Sequence, residues 1–149
     1  EMFENKLASE LFAVANKTIL IEDESQRIGT NMLPMSFFKN LRGSICYFID
    51  IPFASRLKFI VQGYGKFAVT DLIAATLRIQ KKLGGLETKN VVHLFVENNI
   101  EAAFSILLKY YDKMYLKNLE TAAIPKFKTT SIEAQEVNPV HNAGLLMHL

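Results

Sequence analysis

SICYFIDI, residues 44–51, is a run of β-branched, aromatic and other apolar residues closed by Pro52, too short for a helix. Such a run predicts a buried strand. Upstream, Thr18-Ile-Leu-Ile21 has the same character and predicts a second strand near 18–22, running directly into Glu22-Asp23-Glu24-Ser25. An apolar strand ending in carboxylates is a common way to present acids at the carboxyl edge of a sheet. Between the two, Pro34 opens a short predicted helix through Phe37, Phe38 and Leu41 that stops at Gly43. Strand, helix, strand with short links favours a parallel α/β layer.

Outward from this centre the pattern is helical. Phe3, Leu7, Leu11 and Val14 recur at helical spacing and predict an amphipathic helix over 3–15, ending near Asn16 and Lys17. Past Pro52, helices are predicted over Ala54–Val61, over Val69–Leu83 with Val69, Leu72, Ile73 and Leu77 on one face, and over Thr88–Glu97. Gly84 and Gly85 are read as the end of the second of these. A further helix is predicted from Asn98, as a cap with Glu101 reaching back, through Ala103, Ile106, Leu107, Tyr110 and Met114. Ala122–Leu149 has weak periodicity and two prolines, and receives no assignment.

At 149 residues, half of them apolar and 21% charged, the chain has the size and composition of a single globular domain. Its apolar runs fall short of the ~20 residues a membrane helix needs, and no basic-then-apolar leader precedes them. The expectation is a soluble, cytoplasmic protein without a membrane partner. Cys46 is the only cysteine, which excludes an internal disulfide or a zinc site built on cysteines. Its place among Ile45, Tyr47 and Phe48 predicts an inert packing thiol. The first residue is Glu1 and a helix is already under way at Phe3, so a fragment of a longer protein is expected.

Charge is unevenly spread. Lys39 to Lys89 holds nine basic residues against Asp50, Asp71 and Glu87, a net of +6 in a chain whose total is +2. A one-signed stretch attracts phosphate-bearing partners, and equally describes a solvated lysine-rich face. Arg78, Lys81 and Lys82, three and four apart, place three cations on one helix face. Phosphate binding and dipole-favoured cations at a helix end both account for them. The chain has neither G-x-x-x-x-G-K-[ST] nor G-x-G-x-x-G, so the usual backbone cradle for nucleotide phosphates is lacking. ILIEDES nevertheless looks like the magnesium-water acid of a P-loop protein, with an acidic turn before a helix as the plain alternative. His93, His141 and His148 are too scattered for a metal site, and His93 reads as a core histidine. Tyr110, Tyr111 and Tyr115 suit base stacking, but core aromatic packing is the reading preferred.

Six islands share one resemblance: FENKLA at 3–8, EDESQRIG at 22–29 with Pro34 beyond it, IPF followed by Arg56, YGKF at 64–67, LGG at 83–85 and YYDKMY at 110–115. In order and spacing they resemble the tRNA 2-selenouridine synthase family, over roughly residues 1–118. Gln26 departs from the arginine the family often has there, while Arg27 keeps the next basic position.

The resemblance implies the C-terminal part of a P-loop module, following a rhodanese-like domain with a nucleophilic cysteine. It implies a fold of α/β class: a partial P-loop-type parallel sheet, with strands near 18–22 and 44–51, followed by a mainly helical C-terminal region. Residues 1–52 would close the α/β domain, 53–120 form the helical region and 121–149 a tail. The family replaces the sulfur of 2-thiouridine at the tRNA wobble position with selenium, using selenophosphate, by way of a geranylated intermediate made from geranyl diphosphate. Carried over, Ser25, Arg27, Gly29, Arg56, Lys66, Arg78, Lys81 and Lys82 would bind diphosphate or tRNA, and Glu22, Asp23 and Glu24 would hold magnesium. The catalytic nucleophile would lie outside the chain, which alone would be inactive. tRNA is the implied partner, with a separate rhodanese/P-loop chain as another. The competing readings are a non-catalytic nucleic-acid-binding or scaffold remnant and a fragment of a generic P-loop kinase.

Overall fold

The structure is a computed structural model that describes residues 2–15, 17–121 and 129–147, with the backbone alone for 118–121. The chain is α/β, with a short parallel sheet and a mainly helical C-terminal region, in agreement with the expected class. It divides into two compact units, one reaching to Tyr47, the other running from Phe48 through the long helix and again from Ser131.

In the first unit, α1 (Met2–Ala13) turns Phe3, Leu7 and Leu11 to its half-buried side, the stripe that the 3.6-residue period selects. The predicted end near Asn16 falls on a residue outside those described. The segment 18–22 is not a strand. Ile19, Leu20 and Ile21 are 42%, 54% and 46% exposed, and the segment pairs with no strand among the described residues. A β-prone sequence becomes a strand only where a neighbour completes its hydrogen bonds, so propensity alone misplaced this element. The ordered hairpin comes next instead: β1 (Arg27–Ile28) and β2 (Asn31–Met32) pair antiparallel around Gly29, whose φ of 61° suits the first loop position of a tight hairpin. Then α2 (Met35–Arg42) starts directly after Pro34 and ends at Gly43, as expected.

The predicted strand at 44–51 is present as β3 (Cys46–Asp50). Pro52 ends it and opens α3 (Phe53–Tyr64), the proline lacking only a donor that a helix start leaves unused. The predicted single helix over Val69–Leu83 is two, α4 (Val69–Arg78) and α5 (Gln80–Leu83), broken at Ile79 with φ −100° and ψ 4°. Thr76 Oγ1 donates back to the Leu72 carbonyl, and the break lets Leu83 join the core at 7% exposure. Gly84, with φ 96°, makes the junction, but Gly85 is the first residue of α6 (Gly85–Val96) rather than part of a helix end.

The next boundary also differs from expectation. Asn98 adopts φ 57° and closes α6, its N–H donating to the Phe95 carbonyl while the Asn99 N–H donates to that of Leu94. Asn99, not Asn98, caps α7 (Ile100–Thr121), its Oδ1 accepting from the Ala102 N–H at 3.3 Å. One asparagine ends a helix and its neighbour begins another. The stretch that received no assignment contains β4 (Thr129–Glu133), which pairs with β3, and α8 (Pro139–Met147).

The second unit's core lies between α3, α4, α5, α6 and α7. Leu57, Leu72, Leu83, Val91, Phe95, Ala103, Phe104 and Leu108 form it, with Phe95 edge-on to Phe104 at 5.5 Å between ring centroids. Phe95 is 1% exposed, so Phe95→Ala should destabilise the chain by about 3–5 kcal/mol. Asn99→Ala should cost about 1 kcal/mol. Urea titration checks both, with the midpoint lowered in each case and the larger fall for Phe95→Ala.

Candidate phosphate and RNA interface

The first unit holds the acidic turn. Arg42, at the end of α2, reaches back to it: Nη1 lies 2.8 Å from Asp23 Oδ1 and Nη2 donates to the Glu24 carbonyl at 3.3 Å. The same guanidinium lies 4.9 Å from the centroid of the Phe38 ring. Ser25 Oγ donates to the Arg27 carbonyl at 2.7 Å, and its backbone N–H donates to the Glu24 carboxylate at 3.3 Å. Gln26, where the resembled family often has arginine, exchanges two bonds with Leu33: its side chain donates to the Leu33 carbonyl at 3.0 Å, and the Leu33 N–H donates to its carbonyl at 2.8 Å. Arg27 Nε donates to the Gly29 carbonyl at 3.3 Å, so Ser25, Arg27 and Gly29 form one turn and hairpin.

Glu22, Asp23 and Glu24 do not gather. Asp23 is bound to Arg42, and among the described residues no three His, Cys, Asp or Glu side chains are grouped to hold a metal ion. As placed, these carboxylates alone do not make a magnesium site. Cys46 is half-buried, and burial, with Asp23 adding to it and Arg42 opposing, pushes its thiol above the usual range. A thiol so placed resists ionisation, as expected of a packing residue.

In the second unit, Arg56 is committed inside the fold. Nη1 and Nη2 meet the two Asp112 oxygens at 2.6 and 2.9 Å, and Nε donates to the Ile51 carbonyl at 3.0 Å. The hydrogen bond to Asp112 raises the guanidinium's pKa, against the opposing effect of burial. All three nitrogens of the fork are therefore engaged, and Arg56 joins α3 to α7. Lys66, between α3 and α4, Arg78, at the end of α4, and Lys81 and Lys82, on α5, are exposed. None of these four forms an ion pair among the described residues. Exposed, uncompensated cations lose little desolvation energy on meeting a phosphate.

His93 is 70% exposed at its side chain and faces Glu97 at 3.3 Å, one turn further along, so it is not a core residue. His148 lies outside the described residues. Sequence reasoning missed Arg42 and Asp112 as partners. Arg42 was visible as part of the basic stretch and Asp112 within YYDKMY, but pairing over 19 and 56 positions leaves no local pattern.

A family model described as the tRNA 2-selenouridine synthase AAA domain matches residues 1–141. Among curated proteins, a tRNA 2-selenouridine synthase of Bdellovibrio bacteriovorus is 30% identical over 90% of the chain and 47% of its own length. One of Shewanella frigidimarina is 28% identical over 79% of the chain and 41% of its own length. One of Nitrosomonas europaea is 33% identical over 60% of the chain and 25% of its own length. The chain thus spans about half or less of these relatives. No solved structure matches it.

Arg56→Ala and Asp112→Ala should each lower stability by about 1–3 kcal/mol, because each leaves a half-buried charge without its partner. The double variant should lose less than the sum, with a coupling of at least about 0.5 kcal/mol. A double-mutant cycle in urea measures this.

Proposed function

Because this chain belongs to the tRNA 2-selenouridine synthase family, in the region of its AAA domain, we propose that it is the tRNA- and diphosphate-binding part of a wobble-uridine selenotransferase. The exposed quartet Lys66, Arg78, Lys81 and Lys82 carries this reading, because it leaves cations available to phosphate in a family whose description names tRNA. A tRNA backbone and the diphosphate of geranyl diphosphate have the same requirement, positive charge around phosphate oxygens.

The reaction replaces sulfur at C2 of the uridine by selenium. Transfer of a geranyl group from geranyl diphosphate to the sulfur releases diphosphate and makes the sulfur a better leaving group. The selenium of selenophosphate then attacks C2, the sulfur departs as geranylthiol, and hydrolysis of the Se–P bond releases phosphate. The chain's contribution is to hold the nucleic acid and to neutralise diphosphate as negative charge builds on it. The nucleophile and the phosphate cradle belong to a part of the enzyme with other sequence, in the same polypeptide or in a partner. Arg27 contributes one cation at the acidic turn, in a turn shaped by Ser25 and Gly29. Arg56 contributes indirectly, by fixing α3 against α7.

Binding of this chain to tRNA over a salt series tests the proposal. Affinity should fall steeply with salt, and each alanine at Lys66, Arg78, Lys81 or Lys82 should weaken binding and reduce the steepness by about 1. Binding that is undetectable at low salt would sink the proposal and favour a scaffold remnant.

A further inference from the structure

Three rings form a ladder on the second unit. Phe48 of β3 stacks on Tyr115 of α7 with centroids 6.1 Å apart and planes inclined by 29°. Tyr115 stacks in turn on Tyr111, one helical turn back, at 6.2 Å and 15°. The sequence favoured core packing for these tyrosines, and Tyr110 does pack against the core. Tyr111, only 100° further round the helix, is 61% exposed. Its ring is the outer end of the ladder. An exposed aromatic ring alone means little on a protein surface. This one is held in place: its inner side rests on a ring anchored by a strand, and the next residue, Asp112, is gripped at both oxygens by Arg56.

We propose that Tyr111 is a stacking platform for an unpaired nucleobase of the bound RNA, which extends the Phe48–Tyr115–Tyr111 ladder by one more aromatic layer. This rests on the RNA-binding reading above and adds a contact to a base where that reading has only contacts to phosphate. A base has the flat π-face that the end of the ladder matches, and a ring already fixed loses little conformational freedom when the base arrives. Cations alone hold single-stranded and double-helical RNA by the same phosphates. A ring that takes an unstacked base adds affinity only where a base is free to leave its neighbours. The unit also carries the charge such a partner needs, in Lys66, Arg78, Lys81 and Lys82.

The full chain is titrated with single-stranded oligouridylate and, separately, with an RNA duplex, comparing the natural protein with Tyr111→Ala and Tyr111→Phe. Tyr111→Ala should weaken oligouridylate binding roughly fivefold to a hundredfold and leave duplex binding unchanged, whereas Tyr111→Phe, which keeps the ring, should stay within about twofold of the natural protein. The chain has five tyrosines and no tryptophan, so tyrosine fluorescence is a second readout. Its quenching by oligouridylate should be smaller in Tyr111→Phe. If the natural protein binds both RNAs and Tyr111→Ala binds them equally well, the platform is overturned and the phosphate-binding reading survives. Should the natural protein bind neither RNA, both fall. If Tyr111→Ala instead abolishes self-association seen by sedimentation, the ring belongs to an interface between copies and the platform is likewise overturned.

Discussion

The guanidinium of Arg56 lies where three elements meet. Nε holds the carbonyl of Ile51, the residue after β3, and the two terminal nitrogens hold both oxygens of Asp112 on α7. A planar fork satisfies these acceptors in one geometry, which lysine cannot reproduce. The pair sets how α3 and α7 lie along each other beyond what Leu57 and Leu108 impose by packing. Because the side chains are about 30% exposed, the pair avoids the full penalty of a buried charge while keeping most of its directionality.

Further ties lie beside that clamp. With β3 ending at Asp50, the Asp50 carbonyl accepts the Ala134 N–H, and Ser55 Oγ, in the first turn of α3, donates to the Gln135 carbonyl. The chain returning from α7 is thereby tied to both β3 and α3. Phe48, on the same strand, meets Tyr115, on the same helix as Asp112. The contact between strand and helix therefore has a polar clamp and an aromatic one.

The first unit is organised by another arginine. Arg42 binds the Asp23 side chain and the Glu24 backbone, so an acidic turn with no strand behind it still has a defined course. The hairpin that follows is held by Gln26 and Leu33 at its base and by the positive φ of Gly29 at its tip. A β-carbon at Gly29 would meet no atom within 4 Å, so glycine is required there by backbone conformation and not by crowding.

Family, class and most helices were legible in the residues. Local patterns carry them: the 3.6-residue stripe of Phe3, Leu7 and Leu11, the prolines before α2 and α3, the glycine after α2, and six short islands in order. The expected identification agrees with a family match over residues 1–141. What the sequence could not determine depends on neighbours distant along the chain. Thr18–Ile21 has strand residues without a strand, since hydrogen bonds to a second strand are needed and none is present among the described residues. The residues of β4 lacked an alternating signal strong enough to read, and pairing with β3 decided them. Arg56 reads in the sequence as a phosphate ligand, whereas in the fold Asp112, 56 residues away, holds it. Tyr110 and Tyr111 are adjacent and chemically identical, and only the packing of α7 on α3 and α6 sent one inward and left the other open to solvent. Composition and spacing determine which elements can form and what chemistry they carry. The tertiary structure determines which charges and rings are already used within the fold, because that depends on distances the chain sets only when it closes on itself.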